Sequence, residues 1–202
     1  MIGPRPHDLL RIASAVQLCR DGPAWLTPAL REAPWVVVRR ARCAAGHVAV
    51  GIRGPERSRR HAAVIAVDMI TEILSPPDLV ERVDRLPDLP ATHALRRVSD
   101  LLTGSSLRWG PAGSVGFTMA TGVSAVTASS DLDLVLTLQD IPPLTMLSDL
   151  REAFRALPAR VDCQLDLPVG GVALDDLVGT ADRVLVRTAD GPSLMRVDQL
   201  AS

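Results

Sequence analysis

Two aspartates separated by one residue, Asp131 and Asp133, lie in the run Ser130-Asp-Leu-Asp-Leu134, which continues into Val135-Leu-Thr-Leu138. Side chains alternate along a strand, so both carboxylates share one face while Leu132 and Leu134 point to the other. Two carboxylates side by side on a buried strand repel each other and lose hydration. A divalent cation removes both costs. Hard oxygen ligands suit Mg²⁺, which binds through one or two carboxylates and leaves positions open for substrate phosphates. Upstream, Gly113-Ser114 forms a small-residue turn able to offer backbone N–H groups and a hydroxyl to a polyphosphate. An Asp-x-Asp pair also suits a solvated strand face. The metal reading is favoured by Gly113-Ser114, the interleaved leucines and the further carboxylates downstream. The chemistry that follows is transfer of a phosphate-linked group.

A second alternation, Asp162, Gln164 and Asp166, occupies residues 160–167. If that strand lies beside the Asp131 strand, Asp162 or Asp166 completes a carboxylate triad. Asp162, flanked by apolar Val161 and Cys163, is the stronger candidate; Asp166 also suits a turn. Such a triad holds two Mg²⁺ ions, one at the attacking oxygen and one at the leaving pyrophosphate. The segment 53–60 carries Arg53, Arg57, Arg59 and Arg60. Guanidinium forks match phosphate oxygens in bidentate geometry, although such a segment also suits a solvated loop. Gly54 leaves room for close approach of backbone to a ligand. Trp109 suits either a base-stacking position or the core, with the core favoured. His7-Asp8 suits the start of a helix better than a catalytic pair, and Cys163 suits a small buried residue better than a nucleophile.

The elements that position these groups follow from pattern. Residues 8–18 space Leu9, Ile12 and Val16 as a short helix. Residues 35–41 and 47–52 are β-rich and flank Ala44-Ala45-Gly46 as a hairpin, whereas 61–74 leave strand and buried helix open. Pro76 and Pro77 suit the start of a helix. The Pro-punctuated segment 86–90 marks a boundary between an N-terminal domain, residues 1–88, and a second domain, residues 89–202. In the second, residues 92–102 form an amphipathic helix, 107–110 a strand, 147–157 a helix crossing to the 160–167 strand, 168–171 a turn, 174–178 a short helix and 183–187 a last strand. This alternation predicts an α+β or α/β fold.

Bulk properties narrow the function further. The chain has 202 residues, 47% of them apolar, enough for a substantial core in one large domain or two small ones. A net charge of −1 argues against non-specific nucleic-acid binding. All 22 basic residues are arginine, which excludes a lysine nucleophile or Schiff base. Cys19, Cys43 and Cys163 lack metal or disulfide spacing and suit a reduced cytoplasmic protein. The N-terminus does not read as a signal peptide, and no apolar run approaches the ~18 residues of a membrane span.

The Gly113-Ser114…Asp131-Leu-Asp133 pattern resembles the signature of nucleotidyltransferases of the DNA polymerase β type, with a wider gap than is usual there. That likeness implies a nucleotidyltransferase-like core, with a mixed sheet and flanking helices, beside a smaller N-terminal α+β domain. Longer segments resemble the phosphoribosyl-dephospho-CoA transferase family, the holo-acyl-carrier-protein synthases of malonate decarboxylase. They include Arg5-Pro-His-Asp-Leu-Leu10, Val50-Gly-Ile-Arg-Gly-Pro-Glu-Arg57, Trp109-Gly-Pro-Ala-Gly-Ser-Val-Gly-Phe117, Ser130-Asp-Leu-Asp-Leu134 and Val161-Asp-Cys-Gln-Leu-Asp166. Asp166 stands where the family more often has Glu, and the C-terminus lacks an aromatic ending. The resemblance implies transfer of a 2′-(5″-phosphoribosyl)-3′-dephospho-CoA unit from its triphosphate precursor, 2′-(5″-triphosphoribosyl)-3′-dephospho-CoA, to a serine of the apo acyl-carrier subunit of malonate decarboxylase. On that reading Asp131 and Asp133 hold Mg²⁺ and Asp162, or Asp166, helps activate the serine. Gly113 and Ser114 cradle phosphates, and Arg53, Arg57 and Arg60 reach the triphosphate or the carrier. The alternatives are a nucleotidyltransferase using an ordinary NTP, and a non-catalytic carrier-protein or nucleotide-binding module.

Overall fold

A computed structural model describes residues 3–20, 22–56 and 58–200. Its first half builds a five-stranded sheet from β1 (Leu9–Ile12), β2 (Trp35–Val38), β3 (His47–Arg53), β4 (Arg60–Ala66) and β5 (Ile70–Leu74), in the order β4-β3-β2-β1-β5. Every pairing in it is antiparallel. Helices α1 (Val16–Arg20) and α2 (Leu26–Glu32) lie between β1 and β2 in sequence. Leu26 and Leu30 of α2 join Leu10, Ile12, Val36, Val38, Val50, Ile52 and Ile65 in one apolar cluster.

The helix expected over residues 8–18 is instead a strand followed by a short helix. Leu9 pairs with Val37 on one side and Leu74 on the other, so β1 is an interior strand of its sheet. A strand buried on both faces has no polar alternation to betray it. Leu10 and Ile12 enter the cluster with α2, whereas Leu9 faces a second, larger core. The undecided region 61–74 resolves into the edge strands β4 and β5.

Ser75 and Asp78 close the next turn: Ser75 N and Oγ both donate to Asp78 Oδ2, at 2.8 and 2.6 Å, and Asp78 N donates back to Ser75 O at 3.0 Å. They open α3 (Pro76–Leu79), followed by α4 (Pro90–Leu102), β6 (Arg108–Pro111), α5 (Gly113–Thr121), β7 (Leu132–Thr137), α6 (Leu144–Arg155) and β8 (Val161–Leu167). Then come β9 (Gly170–Ala173), α7 (Leu174–Leu177), β10 (Arg183–Thr188) and β11 (Gly191–Arg196). The second sheet has the order β11-β10-β9-β8-β7-β6. Its strands are antiparallel except for β7 and β8, a parallel pair joined through α6. The turn expected over 168–171 is confined to Pro168 and Val169, with Gly170 and Gly171 already in β9, and β11 is a further strand that the pattern missed.

One face of the second sheet buries Leu134, Leu136, Leu165, Val172, Val184 and Val186 with Leu95, Val98, Leu147 and Phe154 of the helices. Trp109 is part of that core at 9% exposure. The opposite face carries Asp133, Asp162, Gln164 and Asp166 and meets the first sheet. Among the described residues the fold is therefore mixed α+β, with two sheets and seven α-helices. No helix among them is long and apolar enough to cross a membrane.

Candidate active site

Where the two sheets face each other they leave a cleft of about 600 Å³. Its floor is β7 and β8. Parallel pairing sets Asp133 directly opposite Asp162, so residues far apart in sequence present neighbouring carboxylates. Its wall is the β3–β4 hairpin of the first sheet, which contributes Arg53, Arg60 and His61. Arg53 and Arg60 are themselves register partners, so two guanidinium-bearing residues sit opposite each other above the acidic floor.

Gly113 closes one end of the cleft. Its φ of +57° favours glycine, and a Cβ there would fall 1.7 Å from Asp133 Oδ2. Ala112 N donates to Asp133 O at 2.8 Å. The β6–α5 junction thus rests directly on Asp133, which brings the two sequence signatures, the Gly-Ser turn and the Asp-x-Asp strand, into contact. Ser114 is buried in the first turn of α5 and does not line the cleft. Asp131 is half-buried and immediately precedes β7; it is not among the cleft-lining residues.

Arg53 Nη2 donates to Ala125 O at 3.3 Å, tying the first sheet to the segment that leads into Asp131. Arg57 lies outside the described residues. Gly54 serves packing: a Cβ there would come 2.7 Å from Arg59 Cβ and 3.0 Å from the Trp25 ring. The room read from sequence at Gly54 is therefore occupied by protein.

The two candidates on β8 have different surroundings. Asp162 lines the cleft beside Asp133, is half-exposed, and accepts from Arg160 Nη2 at 3.1 Å. Asp166 is 14% exposed and forms an ion pair with Arg40, itself 17% exposed, bridging the two sheets. A second bridge joins Arg42 to Asp190 at the β10–β11 turn. Among the described residues, no three His, Cys, Asp or Glu side chains converge closely enough to hold a metal ion by themselves.

His7, Gln164 and Arg187 also line the cleft; the sequence reading set His7 aside as a helix start, named Gln164 only as part of the β8 alternation and passed over Arg187. Burial lowers the His7 pKa, as do Arg40 and Arg187, while Asp166 opposes them. The neutral ring accepts at Nε2 from Gln164 Nε2 at 2.6 Å, and Gln164 Oε1 accepts from Arg187 Nη1 at 3.2 Å. This order assigns the ring proton to Nδ1, as the hydrogen-bond network requires. His7 has φ +75°, the one non-glycine positive φ among the described residues. Such a conformation is uncommon and concentrates at functional sites. Asp8 turns the other way: buried at 5% exposure, it accepts from Arg5 N at 2.7 Å, and burial raises its pKa. His7 and Asp8 are thus neither a helix start nor a catalytic pair. Beneath the floor, burial pushes the Cys163 thiol well up, with Asp175 and Asp162 adding to the shift, so it is not a nucleophile at neutral pH.

Both halves of the chain match one pair of family profiles. Residues 5–76 match the phosphoribosyl-dephospho-CoA transferase MdcG N-terminal domain, and residues 78–198 match the corresponding C-terminal domain. The chain belongs to the phosphoribosyl-dephospho-CoA transferase family. It is 40% identical over 195 residues to a phosphoribosyl-dephospho-CoA transferase of Pseudomonas putida (strain W619), covering 96% of this chain and 95% of that one. A protein of the same name from Pseudomonas aeruginosa (strain PAO1) is 39% identical over 194 residues, covering 96% of this chain and 92% of that one. A third, from Azotobacter vinelandii, is 38% identical over 196 residues, covering 95% and 92%. No solved structure matches the chain.

Proposed function

We propose that the chain moves the 2′-(5″-phosphoribosyl)-3′-dephospho-CoA unit from its triphosphate precursor onto a serine of the apo acyl-carrier subunit of malonate decarboxylase, in the cytoplasm. The observation that carries this reading is the charge division across the cleft. An acidic pair, Asp133 and Asp162, faces an arginine wall, Arg53 and Arg60, and a glycine-led helix start closes one end.

On this reading β6, α5, β7, α6 and β8 form a nucleotidyltransferase-like core, residues 89–202 are the catalytic domain and residues 1–88 supply the cationic wall. Arg53 and Arg60, with Arg57 of the same stretch of sequence, hold the triphosphate, since guanidinium groups bind phosphate oxygens in bidentate pairs. The carrier serine oxygen attacks the α-phosphorus in line; the bond from that phosphorus to the pyrophosphate oxygen breaks and a phosphodiester forms. Asp162 takes the serine proton. Gly113 lets the helix backbone approach Asp133 and lies at the phosphate end of the site, with Ser114 buried behind it in α5.

The donor set suits Mg²⁺, which takes one or two carboxylates and fills its remaining positions with water and substrate phosphates, so a three-ligand protein cage is not required. Asp131 and Asp133 would hold it, and bound there it would neutralise charge on the phosphate oxygens.

Incubating the protein with apo carrier subunit, Mg²⁺ and either the triphosphate precursor or ATP tests the reading. A carrier mass increase equal to the prosthetic group, with stoichiometric pyrophosphate, is expected with the precursor alone. Equal or better use of ATP would replace this reading with an ordinary nucleotidyltransferase, and ligand binding without transfer would indicate a non-catalytic module.

A further inference from the structure

The cleft occupies only part of the second sheet's acidic face. Following the register outward, Asp166 pairs with Gly171, Gly171 with Arg187, and Arg187 with Pro192, so the outward side chains of β10 and β11 extend the same face. Those side chains are Arg183, Leu185 and Arg187 on β10 and Pro192, Leu194 and Arg196 on β11. Three are arginines, three are apolar and none is acidic, in a chain with 23 acidic and 22 basic residues.

A solvated antiparallel face normally carries polar side chains. Here Leu185 and Leu194 are cross-strand partners, 43% and 59% exposed, and form one apolar spot. The next outward pair at one end is Arg183 with Arg196, and at the other Arg187 with Pro192. Arg196 also pairs with Asp198 at 2.9 Å. The loop between β2 and β3 meets the hairpin at its turn, through Arg42 and Asp190, while Leu185 and Leu194 stay exposed. Val184 and Val186 point to the opposite, buried face, so the hairpin is anchored while its outer surface stays open.

An apolar centre ringed by arginines fits a partner surface whose apolar side chains are flanked by carboxylates. Its position narrows the partner further. Arg187 belongs to both the patch and the cleft wall, and it contacts Gln164 on the floor. A protein resting on β10–β11 would therefore lie beside the cleft mouth. The polypeptide that must do so is the one supplying the attacking serine. We infer that the outward face of β10–β11, centred on Leu185 and Leu194, is the docking surface for the acyl-carrier subunit, which meets it through an acidic surface bearing apolar side chains. This rests on the proposed transfer to that subunit.

The test measures binding of the full-length protein to apo carrier subunit without precursor, by calorimetry, for wild type and for Leu194→Ser, Leu194→Asp and Arg183→Glu. These residues lie outside the reaction cleft, and the serine variant guards against a folding defect. Leu194→Asp and Arg183→Glu should each weaken carrier binding about ten-fold or more, with a smaller loss for Leu194→Ser. Affinity for the triphosphate precursor should be unchanged, and added salt should weaken wild-type binding. Val64→Asp, at a 54% exposed position on the β4 edge, is the control and should bind as wild type. If wild type modifies the carrier but the patch variants bind it equally well, the docking inference fails and the functional reading stands. A wild type that neither binds nor modifies the carrier overturns both. If the variants instead abolish self-association of the enzyme and leave carrier binding intact, the occupant is a second copy and the inference is overturned.

Discussion

The wall and the floor of the cleft are assembled by different kinds of connection. Arg53, Arg60 and His61 come from one hairpin, β3–β4, whose turn and register are local. Asp133 and Asp162 come from β7 and β8, which meet only because α6 carries the chain back to make a parallel pair. Parallel strands need such a crossover, whereas antiparallel strands can be joined by a tight turn. The consequence is electrostatic: the first sheet brings Arg53 and Arg60 to the cleft, and the second brings Asp133 and Asp162, with Arg187 as a cation of its own. Neither half alone carries both the arginine pair and the acidic pair.

That division of labour predicts different failures on the two sides. The largest effect belongs to the floor. Asp133→Asn in the floor, or Asp131→Asn just ahead of β7, should cut transfer by about 100-fold or more while the protein stays folded, because either change removes a proposed Mg²⁺ ligand. Gly113→Ala should be comparably damaging, since its Cβ would displace the Asp133 carboxylate. Single-turnover mass analysis of the carrier reads both, and near-wild-type rates in Asp133→Asn would remove the floor from the chemistry. The wall should fail through binding. Arg53→Ala and Arg60→Ala should each weaken precursor affinity by about 1.5–3 kcal/mol, the range for hydrogen bonds to charged groups. Direct titration with precursor in the absence of carrier decides this, and unchanged affinity would assign the arginines elsewhere.

The two β8 carboxylates should separate by type of defect. Asp162→Asn is expected to slow transfer with little change in melting temperature. Asp166→Asn is expected to spare chemistry but to destabilise the protein by up to about 3 kcal/mol, because Arg40 would be left mostly buried without its partner. Matching activity losses and matching melting points for the two variants would erase the distinction.

The smallest effect is the pH response of His7. Its folded pKa lies below the ordinary imidazole value of 6.5. The stabilisation tied to the neutral ring is therefore complete above that value and is lost as pH falls through the folded pKa. Urea midpoints taken from about pH 8 down to about pH 5 should decline in the wild type and decline less in His7→Asn. Identical slopes would show that His7 does not carry this dependence.

Part of the floor was legible in the residues themselves. Asp133 and Asp162 stand out because a period of two is visible without knowing the fold, and adjacency of the two strands was the condition attached to Asp162, whereas Asp131, read from the same period, falls just ahead of β7 and outside the cleft lining. The assignment of β1 to a helix failed because Leu9 and Leu10 are buried on opposite faces, so period two leaves no trace. β11 escaped notice because its apolar residues are few and one face of it is open. His7, Gln164 and Arg187 could not be assembled from spacing, since His7 and Gln164 lie 157 positions apart and the positive φ at His7 has no signature in composition. Gly54 shows the opposite error. A glycine beside arginines suggested ligand approach, and its neighbours turn out to be Trp25 and Arg59.

Strand β1 bears on how the molecule comes apart. Leu9 belongs to the core shared with the second sheet, while Leu10 and Ile12 belong to the core beneath the first. The family profiles divide the chain near residue 77, yet this four-residue strand is mortar common to both halves. Heating should therefore produce a single calorimetric transition, and a fragment beginning after residue 77 should lose cooperativity because one side of its core would be stripped bare. Gene fragments cut at the profile border would then yield partners that need each other to fold, which suits the chain to a split-protein complementation format.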